Sequence, residues 1–422
     1  MTRANDLVKS LPETVNQAFA QAGGGFMDNF EYCRPVQYYF GRGMENNTGL
    51  YVKALGKKRA MVVYGGGSAV KSGLVDRMKE VLEKEGIETF PLGGIQPNPR
   101  ADKVYEAIEL ARKEDIDFIL AIGGGSVIDT VKAVALGACV EEDFFDYYFI
   151  KKNKATKSLP FGVVLTIPAA GSEGSLSTVI QKEVKGEMRK MGYSTILNLP
   201  RFAVLNPELT LTVPLYHTAA GVVDMMCHIM ERYFTNTRDV SLTDRLCEGI
   251  LCSIVETAPR IMAEPDNYEA RANIMWAGTL AHNNTCGVGR EQDWASHHIE
   301  HQLSALYDCA HGAGLAIIFP AWMEYTVNHD VMRFAQFANR VFGITVDFED
   351  PMRTAKKGID ALRAFFRSLG MPLGFDDIKA RKDDIPLMLK MLDIDHHSEG
   401  HFVVLNREDC EAVFNIAAAY KG

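Results

Sequence analysis

Asp117-Phe118-Ile119-Leu120-Ala121-Ile122-Gly123-Gly124-Gly125-Ser126 joins a short apolar segment to a glycine turn. Phe118 to Ile122 is an unbroken apolar run, as expected for a strand covered on both faces. The run stops at three glycines, and a helical pattern follows through Asp129 and Lys132. The same order occurs upstream, where Arg59-Ala60-Met61-Val62-Val63-Tyr64 runs into Gly65-Gly66-Gly67-Ser68. Downstream, Gly162-Val163-Val164-Leu165-Thr166 runs into Ile167-Pro168-Ala169-Ala170-Gly171-Ser172-Glu173. Between these runs lie stretches such as Ala101 to Lys113, with Val104, Ile108 and Ala111 on one helical face. Short buried strands alternating with helices predict α/β architecture, a mostly parallel Rossmann-like sheet with helices on both faces.

The pattern changes after Pro214. Helical periodicity covers Ala219 to Tyr233, Ser241 to Met262, Tyr268 to Asn283, Trp294 to Leu306, Val331 to Phe342 and Pro351 to Leu369, and strand signals almost vanish. Residues 27–211 are therefore expected to form an α/β dinucleotide-binding domain. Residues 212–422 are expected to form an all-helical, metal-binding domain. The turn-rich segment from Asn206 to Pro214 marks the boundary. The mouth between two such domains is the expected place for a ligand.

The chain has 422 residues with 45 Lys plus Arg against 54 Asp plus Glu, a formal charge of −9. Phosphate binding by nucleic-acid proteins needs clustered cations, so nucleic acid is excluded as the main partner. No apolar run reaches the ~18 residues of a membrane span. The eight cysteines form no Cys-x-x-Cys pair, and no secretory signal precedes them, so reduced thiols in a cytoplasmic protein are expected. Residues 1–26 stand apart. Val8, Leu11, Val15 and Phe19 make one helical stripe, followed by Gly23-Gly24-Gly25. This segment reads either as an extension of the start site or as a short amphipathic docking helix. In the second case it resembles the peptides that carry enzymes into bacterial microcompartments, with a shell or scaffold protein as partner.

The glycine loops carry the first chemical signal. A helix N-terminus offers unpaired amides to an anion, and glycine lets the backbone approach it closely. Gly66, Gly67 and Ser68 in one loop, and Gly123, Gly124, Gly125 and Ser126 in the other, suit a pyrophosphate. Neither loop has the spacing of a P-loop or of G-x-G-x-x-G. Asp129 and Lys132, one turn apart, read on spacing alone as a solvated charge pair.

The helical half carries the second signal. Asp224 and His228 are four apart, as are His297 and His301, and His311 follows. Residues four apart share a helix face. One carboxylate and three imidazoles make a complete site for a first-row divalent cation. Spacing alone does not choose among the histidines.

Taken together, Pro97-Asn98-Pro99, the Gly123 to Lys132 stretch, Gly171-Ser172-Glu173, the Asp224/His228 pair and the His297 to His311 segment resemble the iron-containing (group III) metal-dependent alcohol dehydrogenases. The likeness covers about residues 28 to 420 and looks closest to the branch of butanol dehydrogenases and broad-range aldehyde reductases. It implies a dehydroquinate synthase-like architecture, with a Rossmann-like domain followed by a helical one. It implies Asp224, His228, His297 and His311 as metal ligands, and His301 as a proton relay or positioning group beside the nicotinamide. His298 matches no ligand and is expected to be structural. Asn98, Thr166, Ser172 and Lys190 would line the cofactor, with Asp129 near its nicotinamide end. Asn206-Pro207 stands where many relatives have Asp-Pro, and Ala170 where many have Thr.

Members using NAD often carry an acidic residue after the first strand. Here that position is Gly66, with Ser68 beside it. A carboxylate would repel a 2′-phosphate, whereas glycine leaves room and Ser68 can donate to it. NADP(H) is therefore expected over NAD(H), with Fe²⁺ or Zn²⁺ as the one metal. The expected reaction is reversible hydride transfer between NADP(H) and a primary alcohol or aldehyde such as butanol or butanal, by a homodimer. A glycerol dehydrogenase-like polyol oxidoreductase shares the architecture but uses fewer ligands. A metal-dependent hydrolase would not need two phosphate loops. A catalytically silent, targeted relative would not keep four ligands.

Overall fold

The computed structural model describes residues 27–184 and 187–421. The N-terminal segment read above as a possible docking helix lies outside the described residues.

The strands are β1 (Gln37–Phe40), β2 (Arg59–Gly65), β3 (Glu88–Ile95), β4 (Phe118–Gly123), β5 (Phe161–Leu165), β6 (Ser177–Val184), β7 (Glu187–Ser194) and β8 (Phe202–Leu205). Six of them form one sheet in the order β1-β8-β5-β4-β2-β3, with every neighbouring pair parallel. Alternation along each strand divides its side chains between two cores. Met61, Val63, Ile119, Ala121, Val163 and Leu165 face one of them. There they meet Val104 and Ile108 of α4 (Ala101–Lys113) and Ile128, Val131 and Val134 of α5 (Gly125–Gly137). Ala60, Val62, Phe118, Leu120, Ile122 and Val164 face the other core. Their partners are Val52 of α1 (Thr48–Ala54) and Val75, Met78 and Leu82 of α3 (Leu74–Lys84). Between α1 and α3, a single-turn α2 (Ser68–Lys71) follows the first glycine loop. The apolar runs in the sequence are therefore apolar for the expected reason: both faces of the sheet are covered.

The chain steps outward from β2 to β3, then returns to the other side of β2 to make β4. The direction of winding reverses there. In an open α/β sheet, the crevice at the carboxyl ends of strands at such a reversal is where ligands bind. The loops after β2 and β4 are the two glycine loops.

β6 and β7 form a separate antiparallel hairpin, which the strand pattern did not announce. Their alternation is interrupted by charge, as in Gln181-Lys182-Glu183, so they lack the continuous apolar signature.

After β8 come α6 (Leu215–Tyr233), α7 (Ser241–Ala263), α8 (Tyr268–His282), α9 (Ala295–Tyr307), α10 (His311–Thr326), α11 (Val331–Phe342), α12 (Pro351–Ser368), α13 (Ile385–Leu392) and α14 (Arg407–Ala419). Among the described residues, only an isolated bridge between Glu399 and Leu405 interrupts this helical half. Its core holds the fully buried Trp322, ringed by Phe234, Phe319 and Phe402. All eight cysteines are free thiols.

The compact units do not divide at residue 211. One comprises Val36–Met225 with Thr257–Asn283, and the other comprises Met226–Glu256, Asn284–Gly422 and the described part of Met1–Pro35. Helix α8 belongs with the sheet because its contacts are there. Arg271 donates to the Thr210 carbonyl at 2.7 Å, and Thr279 donates to Glu173 Oε1 at 2.5 Å. The first described residues belong with the helical unit, since the Asp28 amide donates to the Gly289 carbonyl at 2.9 Å. Helical periodicity says that a segment is a helix but not which core it joins.

Asn206 turns the chain out of β8. Its Oδ1 accepts the Glu208 amide at 3.0 Å, and its Nδ2 donates to Glu45 Oε2 at 2.9 Å. Glu45 is buried and also paired with Arg77 at 3.0 Å. An aspartate keeps the turn but sets a second carboxylate against Glu45. Asn206→Asp is expected to cost about 2 kcal/mol, because a buried acceptor loses its donor and gains a like charge. Denaturant melts at pH 7.5 check this; an unchanged midpoint would refute it.

Candidate functional site

In the sheet-containing unit, the second glycine loop is shaped by packing on both sides. A Cβ on Gly123 would lie 2.5 Å from Val127 Cγ2, and one on Gly124 would lie 3.2 Å from Ile167 Cβ. Helix α5 therefore starts hard against the strand end and against the third loop. No side chain caps its N-terminus, where Gly124 is the capping residue. The first-turn amides of Gly125 and Ser126 are thus presented to an anion. In the first loop, Gly66, Gly67 and Ser68 are exposed, and a Cβ on Gly66 or Gly67 meets nothing within 4 Å. Only the four-residue α2 follows this loop, so the stronger helix terminus is the one after Gly124.

Asn98 and Lys190, far apart in sequence, are neighbours. Asn98 takes a left-handed φ of 52°, and Lys190 Nζ donates to its Oδ1 at 3.3 Å. The Gln181 amide donates to the Pro99 carbonyl at 2.8 Å, clipping the hairpin to the loop after β3. The hairpin thereby brings a cation toward the carboxyl edge of the sheet.

Thr166 and Ser172 are buried in the third loop. The Thr166 amide donates to the Gly123 carbonyl at 3.1 Å, tying this loop to the second. Ser172 is engaged on both sides: it accepts from Lys132 Nζ at 2.8 Å and donates to Asp129 Oδ1 at 2.6 Å. The solvated reading of Asp129 and Lys132 is overturned here, because Lys132 is 0% exposed. Burial lowers its pKa to about 8 against the pull of Asp129 and Glu173. Burial likewise raises Asp129 and Glu173 above the ordinary carboxylate range.

In the helical unit, α6, α9 and α10 bring histidines together. The His228 and His297 rings lie parallel, with centroids 4.4 Å apart and planes 4° apart. His311, the first residue of α10, has its ring 5.1 Å from His297 and 5.3 Å from His301. Trp294 stands 5.7 Å from both His228 and His297 and walls this cluster. Asp224 sits one turn before His228 on α6, as its spacing predicts. His298, expected to be structural, pairs with Glu399. Burial would lower the pKa of His298, but this carboxylate outweighs that and raises it.

Two carboxylates absent from the expected site, Glu231 and Glu300, complete the arrangement. Glu231 Oε2 lies 2.5 Å from His297 Nδ1, and Glu300 Oε2 pairs with His311 Nδ1. Possible ligand atoms of His228, Glu231 and His297 all fall within 4.8 Å of one another, as do those of Glu300, His301 and His311. Both glutamates are buried. A carboxylate on Nδ1 fixes the ring and its tautomer, leaving Nε2 as the metal-binding atom. The donor set therefore fits a divalent cation. A signal was present in the sequence: each glutamate follows a candidate ligand histidine by three residues, His228 to Glu231 and His297 to Glu300.

The family model for iron-containing alcohol dehydrogenase matches residues 35–207, and the C-terminal model of the same family matches residues 218–418. The chain belongs to the iron-containing alcohol dehydrogenase family. The probable NADH-dependent butanol dehydrogenase 2 of Bacillus subtilis is 41% identical to this dehydrogenase over 389 residues, covering 92% of this chain and 99% of its relative. The NADPH-dependent aldehyde reductase YqhD of Escherichia coli is 36% identical over 385 residues, covering 90% and 97%. The crystal structure of NADH-dependent butanol dehydrogenase A from Thermotoga maritima aligns with a TM-score of 0.89 at 38% identity, covering 94% of this chain and 100% of that one. The family implies a divalent metal and a nicotinamide cofactor, and the hydrolase alternative falls with it. No helix among the described residues of the dehydrogenase is long and apolar enough to cross a membrane.

Proposed function

We propose that this alcohol dehydrogenase and aldehyde reductase acts on primary alcohols and aldehydes such as butanol and butanal. We further propose that it prefers NADP(H) and holds one Fe²⁺ or Zn²⁺ through Asp224, His228, His297 and His311. The observation that carries the reading is the convergence of imidazoles from three helices, two of them held at Nδ1 by buried carboxylates. When bound, the cation supplies Lewis-acid polarisation of an oxygen and the nicotinamide supplies hydride chemistry. The protein's own contribution is placement. The Gly124–Ser126 turn offers amides to a pyrophosphate, and Lys190, beside Asn98, offsets its charge in an otherwise anionic chain. His301, partly exposed and beside His311, can hold or release a proton at its ring.

Relatives named for NADH and for NADPH both resemble this chain closely, so the choice between cofactors rests on the first loop. Gly66 has open space around its Cβ position, which leaves room for a 2′-phosphate, and Ser68 stands close by in sequence. Gly66→Asp is expected to fold normally and to lower kcat/KM for NADPH at least about tenfold by charge repulsion, while sparing NADH. Equal wild-type kcat/KM for the two cofactors would end the NADP(H) assignment. The reaction itself is tested by NADPH consumption against an aldehyde panel, using protein reconstituted separately with Fe²⁺ and Zn²⁺. Saturable turnover of butanal with metal, and none after chelation, is the expected result. Full turnover by metal-free protein would refute the reading.

A further inference from the structure

We propose that Lys132 is a positioning residue for the cofactor site: through Ser172 it sets the orientation and charge of the Asp129 carboxylate, one turn into the helix that receives the pyrophosphate. The proposal rests on the reading that a dinucleotide binds at the Gly123–Ser126 loop.

Lys132 Nζ is buried and makes three contacts: Ser172 Oγ at 2.8 Å, the Ser175 carbonyl at 3.1 Å and the Ser177 carbonyl at 2.6 Å. Each of the three is an acceptor here. An ammonium has three protons and no lone pair, so the charged form satisfies all three, while a neutral amine leaves one unmet. The Ser172 hydroxyl has a single proton. Because the ammonium occupies one of its lone pairs, that proton is directed to Asp129 Oδ1, 2.6 Å away. The second oxygen of Asp129 accepts the Val179 amide at 2.9 Å. Both carboxylate oxygens thus receive donors, an arrangement suited to the ionised form.

Lys132 lies 3.9 Å from Asp129 Oδ1, so it also supports that charge directly. The other charged groups acting on this network are Lys190 of the hairpin, which favours ionised Asp129, and Glu173 of the third loop, which favours charged Lys132. Glu173 has its own donor, Thr279, at 2.5 Å. Four separate segments (α5, the third loop, β6 and β7) therefore converge on one carboxylate beside the glycine loop.

The test uses metal-replete, full-length protein and measures NADPH binding by nucleotide fluorescence from pH 6 to 9.5. Wild type, Lys132→Met, Ser172→Ala, Asp129→Asn and the pairwise doubles are compared. In wild type, Kd is expected to be flat to about pH 7.5 and to rise as Lys132 loses its proton near pH 8. Lys132→Met and Ser172→Ala are each expected to raise Kd about tenfold at pH 7, the scale of a lost charge-assisted hydrogen bond. Lys132→Met should also lose the alkaline limb. Each effect should vanish in the Asp129→Asn background, because the residues act through that carboxylate. If Lys132→Met does not fold, the alkaline rise of Kd in wild type and its absence from Ser172→Ala and Asp129→Asn carry the test of Lys132. Fully additive effects, or a wild-type Kd in the variants at every pH, would overturn the proposal. Wild type that binds neither NADPH nor NADH would overturn the dinucleotide reading beneath it, and the proposal with it.

Discussion

His297→Ala is expected to release the divalent metal and to lower kcat/KM for aldehyde reduction by about a thousandfold or more, the loss that accompanies removal of Lewis-acid stabilisation. His297 is the centre of the imidazole cluster, stacked on His228 and 5.1 Å from His311. The fold should survive. Glu231, left without the ring, still accepts the Ser296 hydroxyl at 2.5 Å and the backbone amide of residue 297 at 3.2 Å. Metal content by elemental analysis, the melting curve and turnover separate these effects. Glu300→Gln should be milder, weakening metal affinity about 10–100-fold, because it loosens the His311 ring rather than deleting a ligand. Full metal occupancy in His297→Ala would refute the ligand assignment.

Gly171→Ala is expected to destabilise the protein by about 3 kcal/mol, combining left-handed backbone strain with overpacking. Gly171 has φ 61°, and an added Cβ would lie 2.4 Å from the Gly278 carbonyl oxygen and 3.0 Å from His282 Cβ. The first of these is helix backbone, which cannot swing aside as a side chain would. Helix α8 has little space to retreat, since Gly278 itself faces Ala169 and Met225. The displaced loop carries Ser172 and Glu173, so weaker NADPH binding should accompany a melting temperature lower by several degrees. An unshifted melting curve would show that the loop accommodates the methyl group.

Much of the architecture was legible in one dimension. The strand at Phe118–Gly123 and the helix at Ala101–Lys113 lie where periodicity puts them, because their neighbours are supplied by a covered sheet and the pattern is local. Asp224 and His228 share a face because four residues make one helical turn, a fact independent of the rest of the fold. The β6–β7 hairpin was not legible, since its strands carry charge and belong to a separate sheet rather than the buried one.

Legible along the chain were the alternation that makes a parallel sheet, the two glycine turns, and the Asp224/His228 and His297/His301 spacings within single helices. All of these leave a pattern among residues a few positions apart, even where distant neighbours are its cause. Tertiary structure alone decided what distant segments do to one another. It placed Thr257–Asn283 with the sheet and set Glu231 behind the ring of His297. It also turned an apparently solvated Lys132 into a buried ammonium bound to residues 40 to 45 positions away. The physical reason is desolvation. A charge pair on a helix reads the same whether water or protein covers it, and only the packed neighbours determine which of the two it meets.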